Sequence, residues 1–218
     1  MGRKSFHAEL EELQKDILKL GGLVEQAIYK GVKSLSEKNV NLAQEVIDND
    51  DTIDHYELEI ENKCLTLIAR QQPMARDLRT IGTALKIITD LERMADHACD
   101  IARVTKRLEG QELIKPLVDV PRMAQLTQQM VADSLQAFIR RDTKLALEMI
   151  EMDHAVDNLY RQIFRELLVL MMEDPRNITQ ATYLLLVARN LERIADHATN
   201  LGEWIIYMVT GVRKELND

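Results

Sequence analysis

A row of acidic side chains recurs in two segments of the chain, offset by 100 residues. The rows consist of Glu92, Asp96 and Asp100 in the first segment and Glu192, Asp196 and Asn200 in the second. Residues four apart lie on one face of a helix. Carboxylate and amide oxygens are ligands that hard cations prefer. The spacing therefore predicts two helical faces able to bind a cation such as iron, magnesium or manganese.

A second set of acids precedes each row and has the same four-residue spacing. These pairs are Asp50 with Asp54 and Asp153 with Asp157. In the segment 75–109 the row lies well over 100° around the helix from the apolar stripe through Leu91 and Ala98, since each residue turns about 100°. The carboxylates should therefore point away from the core. Two such helices side by side would gather several oxygens at one surface.

An ordinary solvated surface is the alternative interpretation of these rows. Like charges four residues apart destabilise a helix by a few tenths of a kcal/mol, roughly. Arg93, Arg103 and Arg107 on the same face could offset that cost and leave a common type of surface ion network. Repetition of the acids in both segments favours the cation-binding interpretation.

The two rows are not identical in charge. Asp100 in the first row becomes Asn200 in the second, and Arg103 becomes Glu203. We therefore expect unequal cation affinities. His97 and His197 follow the aspartates by one residue, which places them about 100° away around the helix. We expect them to flank the row or to serve the structure.

Enzyme motifs are not assembled by this sequence. A di-iron bundle needs a Glu-x-x-His step on two helices, and here only Glu151 and His154 supply one, whereas the aligned residues are Asp48 and Asp51. There is also no His-Glu-x-x-His, no glycine-rich phosphate loop and no nucleophile elbow. We predict a protein that is not an enzyme.

The elements that must position the rows are helices in a duplicated arrangement. Helix-period patterning covers 6–36, 41–70, 75–109, 122–140, 143–173 and 178–210. Pro73 and Pro175 separate the second and third helices of each half, and Pro116 and Pro121 mark the linker. Asn39 and Asp142 are suited to cap the helices that follow them. The sequence predicts an all-α fold of two tandem three-helix bundles, 1–112 and 113–218, with six long antiparallel helices.

Composition limits the class of protein and of partner. The chain has 218 residues, 46% hydrophobic and 29% charged, with a net charge of −8. This balance excludes disorder and argues against nucleic acid as the main partner. We expect a cytoplasmic protein without membrane insertion, because we find neither a signal peptide nor an apolar run long enough to span a bilayer. The apolar run 204–209 should be buried, either in a homodimer or within the chain.

The repeated motif Leu-Glu-Arg-x-x-Asp-His, at 91–97 and 191–197, resembles the signature of the PhoU family. The same family is resembled by the stretch Arg70-Gln71-Gln72-Pro73-Met74-Ala75-Arg76-Asp77-Leu78-Arg79. The resemblance covers essentially the whole chain. It implies two three-helix bundles, a cytoplasmic location and frequent dimerisation. It also implies a negative regulator of phosphate uptake and phosphate-starvation signalling, which links the ATPase subunit of the phosphate ABC transporter to the phosphate sensor histidine kinase.

The resemblance also implies metal clusters at the paired acids, since Glu92/Asp96, Glu192/Asp196, Asp50/Asp54 and Asp153/Asp157 match the Glu/Asp-x-x-x-Asp motifs that bind metal in some members. The chain departs from the family at Asp100, where asparagine is usual, and at Ala95 and Ala195, where glycine is frequent. The metal varies within the family, zinc included. A metal-buffering bundle or a metal-dependent phosphoester hydrolase remains the alternative function.

Overall fold

Helices account for nearly all of the computed structural model, which describes the backbone of residues 2–216 and the side chains of residues 6–216. The helices are α1 (Gly2–Ser36), α2 (Val40–Asp48), α3 (Asp50–Gln71), α4 (Arg76–Arg107), α5 (Asp119–Arg140), α6 (Thr143–Glu173) and α7 (Ile178–Thr210), with a 3-10 turn at Pro175–Asn177. Residues 2–216 contain no strand. The predicted all-α fold is confirmed.

The second predicted helix is the one element that differs, because the structure divides 41–70 into α2 and α3. Asn49 stands between them with φ −86° and ψ −6°. Its side-chain amide donates to the carbonyl oxygen of Glu45 at 2.8 Å, a side-chain bond of the kind that competes with helical pairing. Asp48, Asn49, Asp50 and Asp51 are all weak helix formers. The corresponding stretch of α6 continues unbroken through Asp153.

Polar caps begin the helices where the sequence predicts them. The Asn39 side chain accepts a hydrogen bond from the backbone N–H of Leu42 at 3.0 Å. Asp142 accepts from the N–H groups of Lys144 and Leu145, at 2.9 and 3.2 Å. Both side chains satisfy donors that the first turn of a helix leaves unpaired.

The two bundles, α1 to α4 and α5 to α7, join along α4 and α7. Thr83 donates to the carbonyl oxygen of Trp204 at 3.4 Å, and the ring nitrogen Nδ1 of His197 lies 2.8 Å from Asp90. These pairs advance along α4 while they recede along α7, so the two helices are antiparallel. α1 also packs on α5. One continuous core therefore spans both bundles.

Two glycines of α1 set close helix contacts. A Cβ at Gly21 would collide with the Leu135 side chain on α5, and one at Gly31 would lie 2.9 Å from the carbonyl oxygen of Ala98 on α4. Gly22 has nothing within 4 Å of its Cβ position. The helix continues through Gly21 and Gly22, so Gly21 serves a close approach.

The apolar stripe of α4 through Leu91 and Ala98 is buried along its length, with the members Ile87, Leu91, Met94, Ala98, Ile101 and Thr105. The apolar run near the end of α7 packs within the chain, where Ile205, Ile206 and Met208 join the core. Cys64 and Cys99 are buried free thiols. No helix among the described residues is long and apolar enough to cross a bilayer.

Candidate cation-binding surfaces

The predicted acids of the first half converge where α3 packs on α4. We call Asp50, Asp54, Glu92, Asp96 and Asp100 the first acidic surface. The pKa of the Asp54 carboxyl is raised by partial burial and then by repulsion from Asp50 and Asp96. The pKa of Glu92 is raised by burial and then by Asp96. The acids of the two helices are thus close enough to repel one another.

The second half repeats this arrangement between α6 and α7. We call Asp153, Asp157, Glu192 and Asp196 the second acidic surface. Burial raises the pKa of Asp153 to about 6, with further contributions from Asp157 and Asp196. Burial also raises the pKa of Glu192, followed by repulsion from Asp196. The structure therefore brings together the predicted carboxylates of both halves.

The rows lie at the edge of the bundles rather than in the core. The side chains of Asp96 and Asp100 are 41% and 53% exposed. Those of Glu92 and Glu192 are only 21% and 14% exposed. The glutamates thus lie in the grooves between helices and the aspartates at the rim, so the predicted outward direction holds best for the aspartates.

Two arginines pair with the first acidic surface. Arg93 contacts Asp96 at 3.0 Å and Glu92 at 3.4 Å. Arg103 contacts Asp100 at 2.7 Å and Asp50 at 3.8 Å. Arg107, which the sequence suggested as a third neutralising residue, instead lies over the Tyr183 ring, 5.6 Å from its centroid. That contact is a cation–π interaction with α7.

Three arginines pair with the second acidic surface. Arg193 contacts Asp196 at 3.1 Å, Arg189 contacts Glu192 at 2.5 Å, and Arg161 contacts Asp157 at 3.0 Å. Sequence reasoning missed Arg161 and Arg189. The signal was present in the repeat, because the aligned residues of the first half, Leu58 and Thr89, are uncharged.

Asn200 and the nearby Glu203 extend toward α4. Asn200 lines a polar depression of about 220 Å³ between α4 and α7, together with Lys86, Asp90 and Arg213. Glu203 is buried and accepts a hydrogen bond from the N–H of Leu216 at 2.8 Å. The substitution of Arg103 by Glu203 in the repeat thus holds the C-terminal segment against α7.

The two motif histidines lie at the junction of the bundles. Nδ1 of His97 is 3.1 Å from the Asn190 side-chain oxygen, and Nδ1 of His197 is 2.8 Å from Asp90. The two rings face each other with their centroids 5.7 Å apart. Burial lowers the pKa of His97. These contacts join α4 to α7, which agrees with a structural role.

Two buried carboxylate oxygens, Oδ1 of Asp50 and Oε2 of Glu192, lack any hydrogen-bond partner among the described residues. An unpaired buried acceptor is costly, and a hard cation would satisfy it through oxygen ligation. One oxygen in each surface therefore fits a cation. In residues 2–216, however, no three His, Cys, Asp or Glu side chains converge in a geometry that could hold a metal ion. The ligand set remains a prediction.

Comparisons with known proteins agree with this architecture. The PhoU domain model matches residues 17–105 and 120–205. The phosphate-specific transport system accessory protein PhoU homolog of Clostridium acetobutylicum is 44% identical, over 100% of both chains. The homolog of the same name from Aquifex aeolicus is 47% identical over 93% of this chain and 92% of its own.

Solved structures give the same result. The crystal structure of PhoU from Pseudomonas aeruginosa superposes with a TM-score of 0.91 at 41% identity, covering 95% of this chain and 100% of that one. The phosphate transport system regulatory protein PhoU from Streptococcus pneumoniae superposes with a TM-score of 0.89 at 31% identity, covering 96% and 99%. Two tandem domains of one type account for the duplicated bundles.

Proposed function

The chain belongs to the PhoU family, and on that premise we propose that it is a negative regulator of phosphate uptake and of phosphate-starvation signalling. The observation that carries the proposal is the match of both tandem domains, at full length, to relatives named as accessory proteins of the phosphate-specific transport system. An accessory role requires a binding surface rather than a catalytic centre. We therefore assign the protein no enzymatic step.

The proposed partners are the ATPase subunit of the phosphate ABC transporter and the phosphate sensor histidine kinase, both reached from the cytoplasm. The long exposed faces of α3 and α6 offer docking surfaces for two proteins. When phosphate is plentiful, the protein would connect the two partners and keep uptake genes off. A homodimer belongs to the same proposal, and light scattering at micromolar concentration that gives a monomer would remove it.

Cations bound at the acidic surfaces are the second element of the proposal. Asp50, Asp54, Glu92 and Asp96 would hold an ion in the first half, with Asp100 beside them. In the second half the ligands would come from Asp153, Asp157, Glu192 and Asp196, with Asn200 near the end of the row. Iron, magnesium, manganese or zinc would supply positive charge that offsets the repulsion between the paired helices. The neutralised surfaces would then present a different docking face.

A metal-buffering bundle or a metal-dependent phosphoester hydrolase is the second candidate. The unpaired oxygens of Asp50 and Glu192 support it, because a metal buffer and a metal-dependent hydrolase would both need such oxygen ligands. Turnover of common phosphoesters that depends on added metal would support the hydrolase. Metal binding without turnover, together with normal phosphate regulation in a deletion strain, would support the buffer.

Deletion of the gene tests the regulator. We expect high expression of phosphate-starvation genes in phosphate-rich medium, returned to low expression by the intact gene. The double variant Asp96→Ala, Asp196→Ala then tests the cation step. If it binds no metal and still represses fully, cations have no part in docking. Unchanged low expression in the deletion strain would refute the regulatory role itself.

A further inference from the structure

The polar depression between α4 and α7 contains the one tryptophan of the chain, Trp204. Two cationic side chains lie over its ring. The Lys86 ammonium is 5.6 Å from the ring centroid, and the Arg213 guanidinium is 4.9 Å from it. Contacts of this kind attract a cation to the negative face of the ring. The indole therefore gathers two positive charges at one wall of the depression.

A turn after α7 brings Arg213 to this place. Gly211 ends the helix with φ 76°, and its N–H donates to the carbonyl oxygen of Tyr207 at 2.8 Å. Such a left-handed conformation favours glycine. The chain then returns along α7, where the N–H of Leu216 donates to Glu203 at 2.8 Å. Arg213 lies between these two anchors, so the backbone on both sides holds it over the ring.

The cations of the depression lack the polar partners that its carboxylates have. In residues 6–216, neither Lys86 nor Arg213 forms an ion pair or a hydrogen bond, and their described contacts are those with the indole. Asp90, in contrast, contacts His197 at 2.8 Å, and Glu203 accepts the backbone N–H described above. The donors that await a partner in this depression are therefore cationic.

These donors define the chemistry of a ligand. The Lys86 ammonium, the Arg213 guanidinium and the Asn200 amide line the depression and can each donate N–H groups to the oxygens of an anion. Its volume of about 220 Å³ accommodates an anion of a few atoms with bound water, since a molecule of liquid water takes roughly 30 Å³. A small oxyanion fits both the charge and the space.

The carboxylate of Asp90 narrows the choice of oxyanion. One of its oxygens contacts His197, and the other has no hydrogen-bond partner among residues 6–216. An ionised carboxylate only accepts hydrogen bonds, so an anion beside it must carry a hydrogen as well as free oxygens. Hydrogen phosphate carries one at about pH 8, whereas sulfate and the dianion of a phosphomonoester offer acceptor oxygens alone.

From this arrangement we infer that the depression between α4 and α7 binds inorganic phosphate, with Lys86 and Arg213 on its oxygens and Asp90 accepting a hydrogen bond from its hydroxyl. The inference goes beyond the proposed function, which requires no bound phosphate. Lys86 lies on α4 and Arg213 follows α7, so a bound anion would add a link between the two bundles. Both cations are exposed, so affinity should fall as salt screens their charge.

Fluorescence of Trp204 tests the inference directly, since the chain has no other tryptophan. The full-length protein is titrated at about pH 8 and constant low ionic strength with inorganic phosphate, sulfate or glycerol 3-phosphate, and calorimetry gives a second measure of binding. Lys86→Gln and Arg213→Gln each remove one charge from the depression. Arg165→Gln is the matched control, because Arg165 is exposed on α6 and its guanidinium donates to the carbonyl oxygen of Arg161. Thermal unfolding monitors the fold of each variant.

We expect saturable binding of phosphate by the wild-type protein. Lys86→Gln and Arg213→Gln should each weaken it by about tenfold, as for the loss of one charge-assisted hydrogen bond, and Arg165→Gln should leave it unchanged. Sulfate and glycerol 3-phosphate should bind more weakly than phosphate by about tenfold or more, because each would place an oxygen without a hydrogen against Asp90.

Two results would overturn the inference. One is the absence of saturable phosphate binding, or binding that Lys86→Gln and Arg213→Gln alter no more than the control does. The other is equal binding of phosphate and sulfate, which would show a site for anions in general and refute the role of Asp90. Either result would leave the regulatory proposal standing, because gene deletion tests that proposal separately.

Discussion

The closeness of α1 to α4 depends on Gly31, and replacing it by alanine tests this directly. Gly22 in the same helix is a matched control. Alanine is favoured over glycine inside a helix by about 0.8–1.0 kcal/mol, so Gly22→Ala should stabilise the protein by about that amount, since nothing lies within 4 Å of its Cβ position. At Gly31 the new Cβ would lie 2.9 Å from the Ala98 carbonyl oxygen. This oxygen belongs to the backbone of α4, so it cannot rotate away from the new Cβ as a side chain could.

Overpacking of this kind costs about 1–3 kcal/mol. Both variants gain the same helix propensity, so we expect Gly31→Ala to be less stable than Gly22→Ala by about 1–3 kcal/mol. For a chain of this size, each kcal/mol corresponds to about 2–4 °C in Tm. Urea unfolding followed by circular dichroism measures both variants, and equal m-values would show that the unfolding transition is unchanged. If both alanines stabilised the protein equally, the contact between α1 and α4 would not require glycine.

Three further predictions concern stability and reactivity. Burial raises the pKa of Asp153 to about 6, so between about pH 4 and pH 6 the folded state binds more protons than the unfolded state. The free energy of unfolding should therefore fall as pH rises through that window. Urea unfolding in EDTA should show a smaller fall for Asp153→Asn than for the wild-type protein. Burial raises the pKa of the Cys64 thiol to about 12, and Cys99 is also buried. A thiol reagent at pH 8 should therefore label both cysteines only when the protein unfolds. Rapid labelling of the native protein would contradict this. Asp142→Ala removes the cap of α6 and should cost about 1 kcal/mol in urea unfolding, and no loss would mean that water caps the helix equally well.

Helix positions were predictable because the chain has long periodic segments bounded by prolines. The predicted bounds of α6 and α7, 143–173 and 178–210, agree with the structure. The break at Asn49 was not predicted, since the apolar period continues across it. It depends on a side-chain bond from Asn49 to Glu45, and periodicity carries no information on such local competition.

The acidic surfaces were predictable for a similar reason, because four-residue spacing determines which side chains share a helix face. Their counter-ions were not. Arg107 was expected to neutralise the first row and instead contacts Tyr183, whereas Arg161 pairs with Asp157 one turn away on α6. Which arginine reaches which carboxylate depends on helix packing and rotamers. Comparison of the two halves at Leu58 and Thr89 would have revealed the difference in charge.

The repeated motif is constrained on three sides of one helix, which accounts for the residues that both copies retain. Leu91 and Ala98 are buried against the core, Asp96 lies at the acidic rim, and His97 contacts the other bundle. A larger residue at Ala98 would move the backbone that Gly31 approaches. Variation is confined to positions such as Met94, where Ile194 fills the same core site without a change of direction.

Duplication allowed the acidic rim to diverge, while the core residues Leu91 and Ala98 and the junction residue His97 kept the same identity in the second half. The core and the bundle junction involve both halves at once, as the pairing of His97 with Asn190 and of His197 with Asp90 demonstrates. A substitution in the core or at the bundle junction would therefore disturb both bundles. The ion pairs of Arg161 and Arg189 involve only α6 and α7, so these two arginines could replace neutral residues without contacting the first surface. Differences between the two halves are therefore expected at the rim, where Leu58 and Thr89 align with Arg161 and Arg189, and Asp100 aligns with Asn200.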